Sequence, residues 1–363
     1  MNHSPDNWLD EVEQWRSHSR RGASAVTLIV VGALLASVVS LGFGAMPVAI
    51  ADVVGSLVQA TGVWTTRIPE IDYQVVTQIR GPRIALSFLV GASLSLAGAA
   101  MQGMFRNPLA DPGLIGVSAG AGAGAATVII LFDVAALSLL GPFAWIGVSA
   151  AAFAGGVGAT VLVYTIGTLG GRSRVAVMLL AGIALSSLVG AFTGFLVYLA
   201  DDAQLRTLTF WTLGSVGEAS WSMVAVAAVG LASSATLIGS CRHALDVWLL
   251  GESQVHHLGF SITRVRRVLI AGSALAVSLA VAVAGVVSFV GLVVPHMARL
   301  LVGASHSRLL IASAFLGGGL LVLADLLART IVAPAEMPLS VITALIGGPF
   351  FLGLIVKNRR SFG

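Results

Sequence analysis

The fold class predicted by this chain is an all-α polytopic membrane protein with ten transmembrane helices, on three observations. Of its 363 residues 57% are hydrophobic and only 10% charged, against roughly 25% charged in a soluble domain. The charges fall between apolar runs of about 20 residues, the length that spans hydrocarbon as a helix. A membrane β-barrel would instead alternate polar and apolar residues along each segment.

In chain order, residues 1–24 form a cytoplasmic N-terminal segment. Its acidic Asp6, Asp10, Glu11 and Glu13 precede Arg16, Arg20 and Arg21, unlike the compact basic start of a cleaved signal peptide, so it is expected to be retained. Trp8, Leu9, Val12 and Trp15 recur at near-helical spacing, which suits a short helix on the inner membrane surface or a polar tail. The ten-helix domain then occupies residues 25–357. Its first crossing is 25–44, and 47–60 reads as an interfacial helix with Ile50, Val53, Val54, Leu57 and Val58 on one face. Residues 61–79, carrying Arg67, Glu70 and Asp72, read as an exposed loop leading to Arg80.

A hairpin follows. Its arms are apolar and glycine-rich, leaving little side-chain bulk, so they are expected to pack closely on each other in lipid. Its polar hinge, 106–113, holds Pro108 and Pro112, and Asp111-Pro112 reads as an N-cap followed by proline at the first helical position. Further crossings are predicted at 143–169, 175–200, 221–240, 268–285, 286–302, 309–328 and 339–356. Residues 358–363 are a cytoplasmic tail. Assigned in alternation, fifteen of the twenty Lys and Arg residues fall on one side and Arg67, Arg80, Arg83, Arg206 and Arg329 on the other. The positive-inside rule therefore puts both termini in the cytoplasm. The longest cytoplasmic loop, 241–267, mixes Leu249, Leu250, Val255, Leu258 and Phe260 with polar residues, as a short amphipathic partner-docking helix or a solvated connector would.

The chemistry absent is informative. Lys357, followed by Asn358, is the one lysine, so no GxxxxGK[ST] nucleotide loop exists in the chain. Cys241 is a lone cysteine and His256 and His257 are adjacent, so no metal-ligand spacing is apparent. Asp325 is the one charge expected inside a crossing, and its spacing to Arg329 suits an i,i+4 ion pair better than a proton relay. This scarcity disfavours an ion-coupled transporter and leaves a path with exposed arginines at its outer mouth. Pro295 should kink or split the eighth crossing. The neighbouring His296 would then bond a freed carbonyl or, less commonly, face substrate.

Several stretches together resemble the FecCD family, the permease subunits of ATP-binding-cassette (ABC) importers for iron-siderophores, haem and cobalamin. They are Arg80-Gly-Pro-Arg83, Met101-Gln102-Gly103, Arg106-Asn107-Pro108-Leu109-Ala110, Gly116 to Ala121, Phe210 to Ser215, Phe289 to Leu292 with Pro295 to Arg299, Asp325 with Arg329, Glu336-Met337-Pro338, and Gly347 to Phe351. The resemblance implies the type II ABC importer permease fold and a homodimer with its path on the two-fold axis. It also implies two separate cytoplasmic ATPase subunits holding ATP and Mg, and a periplasmic binding protein. This chain is then no enzyme and binds no cofactor or metal of its own, and nucleic acid is no partner. Arg80, Arg83 and Arg329 take the position of binding-protein docking residues. Leu249, Leu250, Gly251, Glu252, Leu258 and Gly259 take that of the ATPase coupling loop. Arg172, Ser173, Arg174, Val175, Ala176 and Val177 match the gate region, and His296 is a further path candidate. Ser340 stands where the family pattern usually has glycine, with a local effect expected. The runs 110–116 and 199–206 resemble the haem-importing branch, so haem is the expected cargo, with ferric siderophore and cobalamin as alternatives, in a bacterial inner membrane.

Overall fold

The computed structural model describes residues 7–44, 46–62, 68–132, 145–169 and 175–357, with side chains from Gly22 onward save a few. Among them every regular element is helical. Helix α1 runs unbroken over Asn7–Gly42, so the N-terminal segment continues the first crossing and forms no separate surface helix. Helix α2, Ile50–Ala60, buries Val53 and leaves Ile50, Val54 and Leu57 exposed, as an interfacial helix would.

Helix α3, Glu70–Gln74, passes through a π-helical turn, Val75–Arg80, directly into α4, Gly81–Phe105. The loop expected over 61–79 is therefore half helix. Glu70 and Asp72, which suggested solvent exposure, sit in the first turn of α3, where acidic residues offset the positive helix end.

Helix α4 ends where Arg106 turns left-handed, at φ 50°, and Asn107 N–H closes the end on Gln102 O at 3.2 Å. The Asp111 cap is as predicted: its Oδ1 accepts from Gly113 N at 2.7 Å. What it caps is a 3-10 turn, Pro112–Ile115, before α5, Val117–Leu131. Ala110, Pro112 and Ile115 are buried, and Gly182 lies so near the turn that a Cβ on it would come 2.0 Å from Leu114 O. The solvated hinge is thus confined to its first half, around Arg106–Pro108.

The remaining helices are α6 (Trp145–Thr168), α7 (Val175–Leu199), α8 (Asp202–Leu213), α9 (Trp221–Ser240), α10 (Arg242–Trp248), α11 (Glu252–His257), α12 (Ile262–Ala284), α13 (Val290–Val302), α14 (His306–Ala328) and α15 (Leu339–Lys357). Among the described residues seven helices have the length and composition to cross a membrane. With the shorter α5, α13 and α15 they fill the ten predicted crossings.

The hairpin arms do not pair chiefly with each other: α4 packs on α14 and α5 on α6. Small residues decide this. Ideal Cβ atoms on Gly91 and Gly317 would lie 2.2 Å from Gly317 O and 1.9 Å from Ser95 Oγ, and one on Gly120 2.3 Å from Gly155 O. Each helix thus finds a glycine-bearing partner elsewhere in the chain, and backbone meets backbone.

The break near the eighth crossing falls at 285–289, not at Pro295. Gly285 and Phe289 have φ of 70° and 65°, and Pro295 sits inside α13 without splitting it. Proline lacks an N–H, so Gly291 O loses its helical donor. Gly98 of α4 fills that gap, close enough that a Cβ would sit 1.8 Å from Gly291 O. Gln102 Nε2 donates to the next carbonyl, Leu292 O, at 2.9 Å. In the break itself Ser340 donates to Val286 O at 2.7 Å and accepts from Ser288 N at 3.3 Å. The serine that departs from the family pattern therefore serves backbone groups that a glycine there would leave open.

Candidate functional site

Helices α4 and α14 run antiparallel, and polar clusters sit at both ends of the pair. Arg83 lies in the first turn of α4 and Asp325 in the last turn of α14. Arg83 Nε and Nη2 donate to Asp325 Oδ1 at 3.0 and 2.8 Å, while Nη1 and Nη2 donate to Glu336 Oε1 and Oε2 at 2.7 and 3.0 Å. The planar guanidinium thus presents one edge to each carboxylate. The two carboxylates are not equivalent: the Asp325 side chain is 1% exposed and that of Glu336 46%.

This corrects the expected pairing. Asp325 is held mainly by Arg83, 242 residues away, and Arg329 Nε stands at 3.7 Å from Asp325 Oδ2. It also corrects the expected exposure. Arg80, Arg83 and Arg329 are all buried, because the chain's own acceptors surround them. Arg80 donates to Leu41 O at 2.7 Å and to Met46 O, and Arg329 Nη2 to Ser40 O and Oγ at 2.7 and 2.5 Å. Burial lowers the pKa of Arg329 and Asp325 opposes it; a guanidinium starts so high that it stays charged. Arg80, Arg83 and Arg329 share that end of the pair with Asp72, Asp325 and Glu336, three cations against three carboxylates.

Beside Glu336 lies a cavity of about 530 Å³, walled by Trp145, Phe210, Trp211, Met223 and Met337 with Glu218 and Glu336 among its few polar groups. Its size and apolar lining fall in the range of small-molecule pockets. Helix α8, which supplies Phe210 and Trp211, is fixed by an Asp201–Gln204 capping box, and Gln204 Nε2 also donates to Ile130 O at 3.2 Å.

At the other end of the pair, the predicted coupling segment forms α10 and α11. Trp248, Leu245 and Val255 are fully buried, while Leu249, Leu250 and Leu258 are exposed. Gly251 and Gly259 bracket α11 with φ of 116° and 82°, conformations open to glycine at little cost. The stretch is thus amphipathic, with one buried side and one exposed apolar side.

Arg172, Ser173 and Arg174 lie outside the described residues; Val175, Ala176 and Val177 begin α7, with Ala176 exposed. His296 bonds no freed carbonyl: neither ring nitrogen has a hydrogen-bond partner among the described residues, and the ring stands edge-on to Phe350 at 6.2 Å. Glu336 belongs to a motif that the sequence displayed without revealing its contact to Arg83. Ser40, Asp246 and His306 carried no sequence signal at all.

The profile of the FecCD transport family matches residues 23–357. The chain belongs to this family. Its members are membrane permease subunits of ABC importers, whose ATPase is a separate chain. Curated relatives include the hemin transport system permease protein HmuU of Yersinia pestis, 41% identical over 82% of this chain and 88% of that protein. The cobalamin import system permease protein BtuC of Halobacterium salinarum is 43% identical over 79% of this chain and 75% of its own length. Among solved structures, a metal-chelate type ABC transporter in an inward-facing conformation superposes with a TM-score of 0.80 at 29% identity, covering 92% of this chain and 99% of that one.

Proposed function

We propose that this FecCD permease carries haem across a bacterial inner membrane, from a periplasmic binding protein to the cytoplasm. The observation that carries the substrate assignment is the likeness to the hemin permease over 82% of the chain. The aromatic and methionine-walled cavity beside the arginine cluster suits a flat apolar ring.

In this reading two copies enclose the path, with the exposed face of α7 and the gate residues 172–177 along it. The arginine end faces the periplasm. There the arginines attract acidic residues of the binding protein, and Arg83 engages them on the edge now held by the half-exposed Glu336. Arg80 and Arg329 keep that end of the fold in shape and add to its field. The exposed Leu249, Leu250 and Leu258, with Gly251, Glu252 and Gly259, meet the ATPase. Nucleotide-driven closure there switches the helices between outward-facing and inward-facing arrangements, and cargo passes unchanged.

The test is reconstitution in proteoliposomes with the partner ATPase and binding protein, comparing uptake of hemin, a ferric siderophore and cobalamin. ATP-dependent hemin uptake is the expected result. Cobalamin uptake without hemin uptake would favour the second reading, to which the 43% likeness to BtuC lends support. Uptake driven by an ion gradient without ATP would overturn both.

A further inference from the structure

His306 opens α14 and is completely buried. The preceding Ser305 makes no side-chain cap bond. The capping role is filled from another helix: Asp246 of α10 accepts from His306 N–H at 2.6 Å and from ring Nδ1 at 2.8 Å, both through Oδ1. A carboxylate at a helix N-terminus meets both its open N–H groups and its positive end. The other face of the ring lies on α4. An ideal Cβ on Gly103 would be 2.6 Å from His306 Nε2 and 3.0 Å from Leu245 Cδ2. The glycine of the Met101-Gln102-Gly103 stretch thus leaves room for an imidazole belonging to another helix, and α4, α10 and α14 meet at one ring.

The same α4 and α14 are clamped at their far ends by Arg83 and Asp325 at 2.8 Å, and between the clamps Gly91, Ser95 and Gly317 bring the backbones together. The two helices therefore form a strut about 30 Å long, by the rise per residue of an α-helix. Trp248 closes α10 immediately before the exposed Leu249 and Leu250 and is itself fully buried, with the Arg266 guanidinium 5.5 Å from its ring centroid. Asp246 stands one helical turn before these leucines, on the same α10.

We infer that Asp246 and His306 are a positioning pair that ties the coupling helices α10 and α11 to the α4–α14 strut, so that movement at the ATPase face reaches the arginine end. This rests on the reading of 249–259 as the ATPase-facing segment. The experiment uses the whole transporter in lipid nanodiscs, with Cys241→Ser as background and single cysteines at Leu250→Cys in the coupling segment and at Ile331→Cys beyond the far end of α14. Maleimide labelling rates are compared without nucleotide and with ATP, Mg and orthovanadate.

With Asp246 intact both sites should change rate on nucleotide trapping. In Asp246→Ala the change at Leu250→Cys should persist and that at Ile331→Cys should vanish. Asp246→Asn, whose amide oxygen can still accept from both N–H groups, should restore it. A response at Ile331→Cys that survives Asp246→Ala overturns the proposal, as does an Asp246→Asn transporter that behaves like Asp246→Ala. Silence at Leu250→Cys in the parent overturns the coupling-segment reading, and this proposal with it, so the silent site tells the failures apart. If Asp246→Ala fails to assemble, Gly103→Ala strains the same joint from α4 and should likewise weaken the Ile331→Cys response.

Discussion

Helices α4 and α7 are both 25 residues long and apolar enough to cross a membrane, yet they meet opposite fates. In the most apolar window of the helix containing α4, 83% of residues are buried within the chain, against 11% in α7. Apolar character does not sort them, because lipid is as apolar as a protein core. What sorts them is small and polar side chains. Helix α4 carries Arg83, Ser95, Gln102 and four glycines that meet other backbones or side chains, whereas of the three α7 glycines Gly182 alone meets a neighbour and Gly190 and Gly194 have nothing within 4 Å of an added Cβ. The α7 face with Leu180, Leu188 and Phe195 is left for lipid or for a second copy.

The largest expected effect breaks the ion cluster of the α4–α14 pair. Arg83→Ala leaves Asp325 buried without its main partner, a loss of about 3–5 kcal/mol. Thermal unfolding in detergent should show it, while Leu188→Ala on α7 should stay within about 0.5 kcal/mol of the parent. Next comes Gly98→Ala. Its methyl must displace the Gly291 backbone, costing about 1–3 kcal/mol. Gly190→Ala and Gly194→Ala should leave the unfolding of the single chain unchanged. If they also weaken self-association in analytical ultracentrifugation, the open face of α7 belongs to a second copy rather than to lipid.

Ser340→Gly should lower stability by about 1 kcal/mol through loss of two hydrogen bonds in the 285–289 break, read again from the unfolding midpoint. Within the ion cluster a small change in stability is expected from Glu336→Gln, under about 1 kcal/mol because the side chain is half-exposed. It loosens the exchangeable edge of Arg83, so affinity for the binding protein, measured by surface plasmon resonance, should rise. A fall would mean that Glu336 itself is needed for docking.

The ten crossings were legible because span length and the polar gaps between spans are local properties of the chain. The amphipathic character of the stretch between Cys241 and Arg267 was legible too, from its mixture of apolar and polar residues. Pairings were not. Helical periodicity reports neighbours three and four residues apart, which is why Asp325 was matched to Arg329 when Arg83 is its principal partner. The joint at Asp246, His306 and Gly103 joins three distant stretches, and no single stretch announces it. Glu70 and Asp72 misled for another reason: acidic residues signal a loop by polarity and a helix start by electrostatics, and only the fold shows which prevails.

Because α4 and α14 are clamped together at both ends while α7 packs on α5 and α6 instead, the proposed cycle should move the pair as one body and shift α7 against it. Two pairs of spin labels in the assembled transporter address it most directly, Ile79→Cys with Leu323→Cys and Leu188→Cys with Leu323→Cys, all at exposed positions. Between the nucleotide-free and vanadate-trapped states, the distance from Ile79 at the head of α4 to Leu323 on α14 should be unchanged, and that from Leu188 on α7 to Leu323 should shift. A shift in the first distance, or none in the second, would contradict the account.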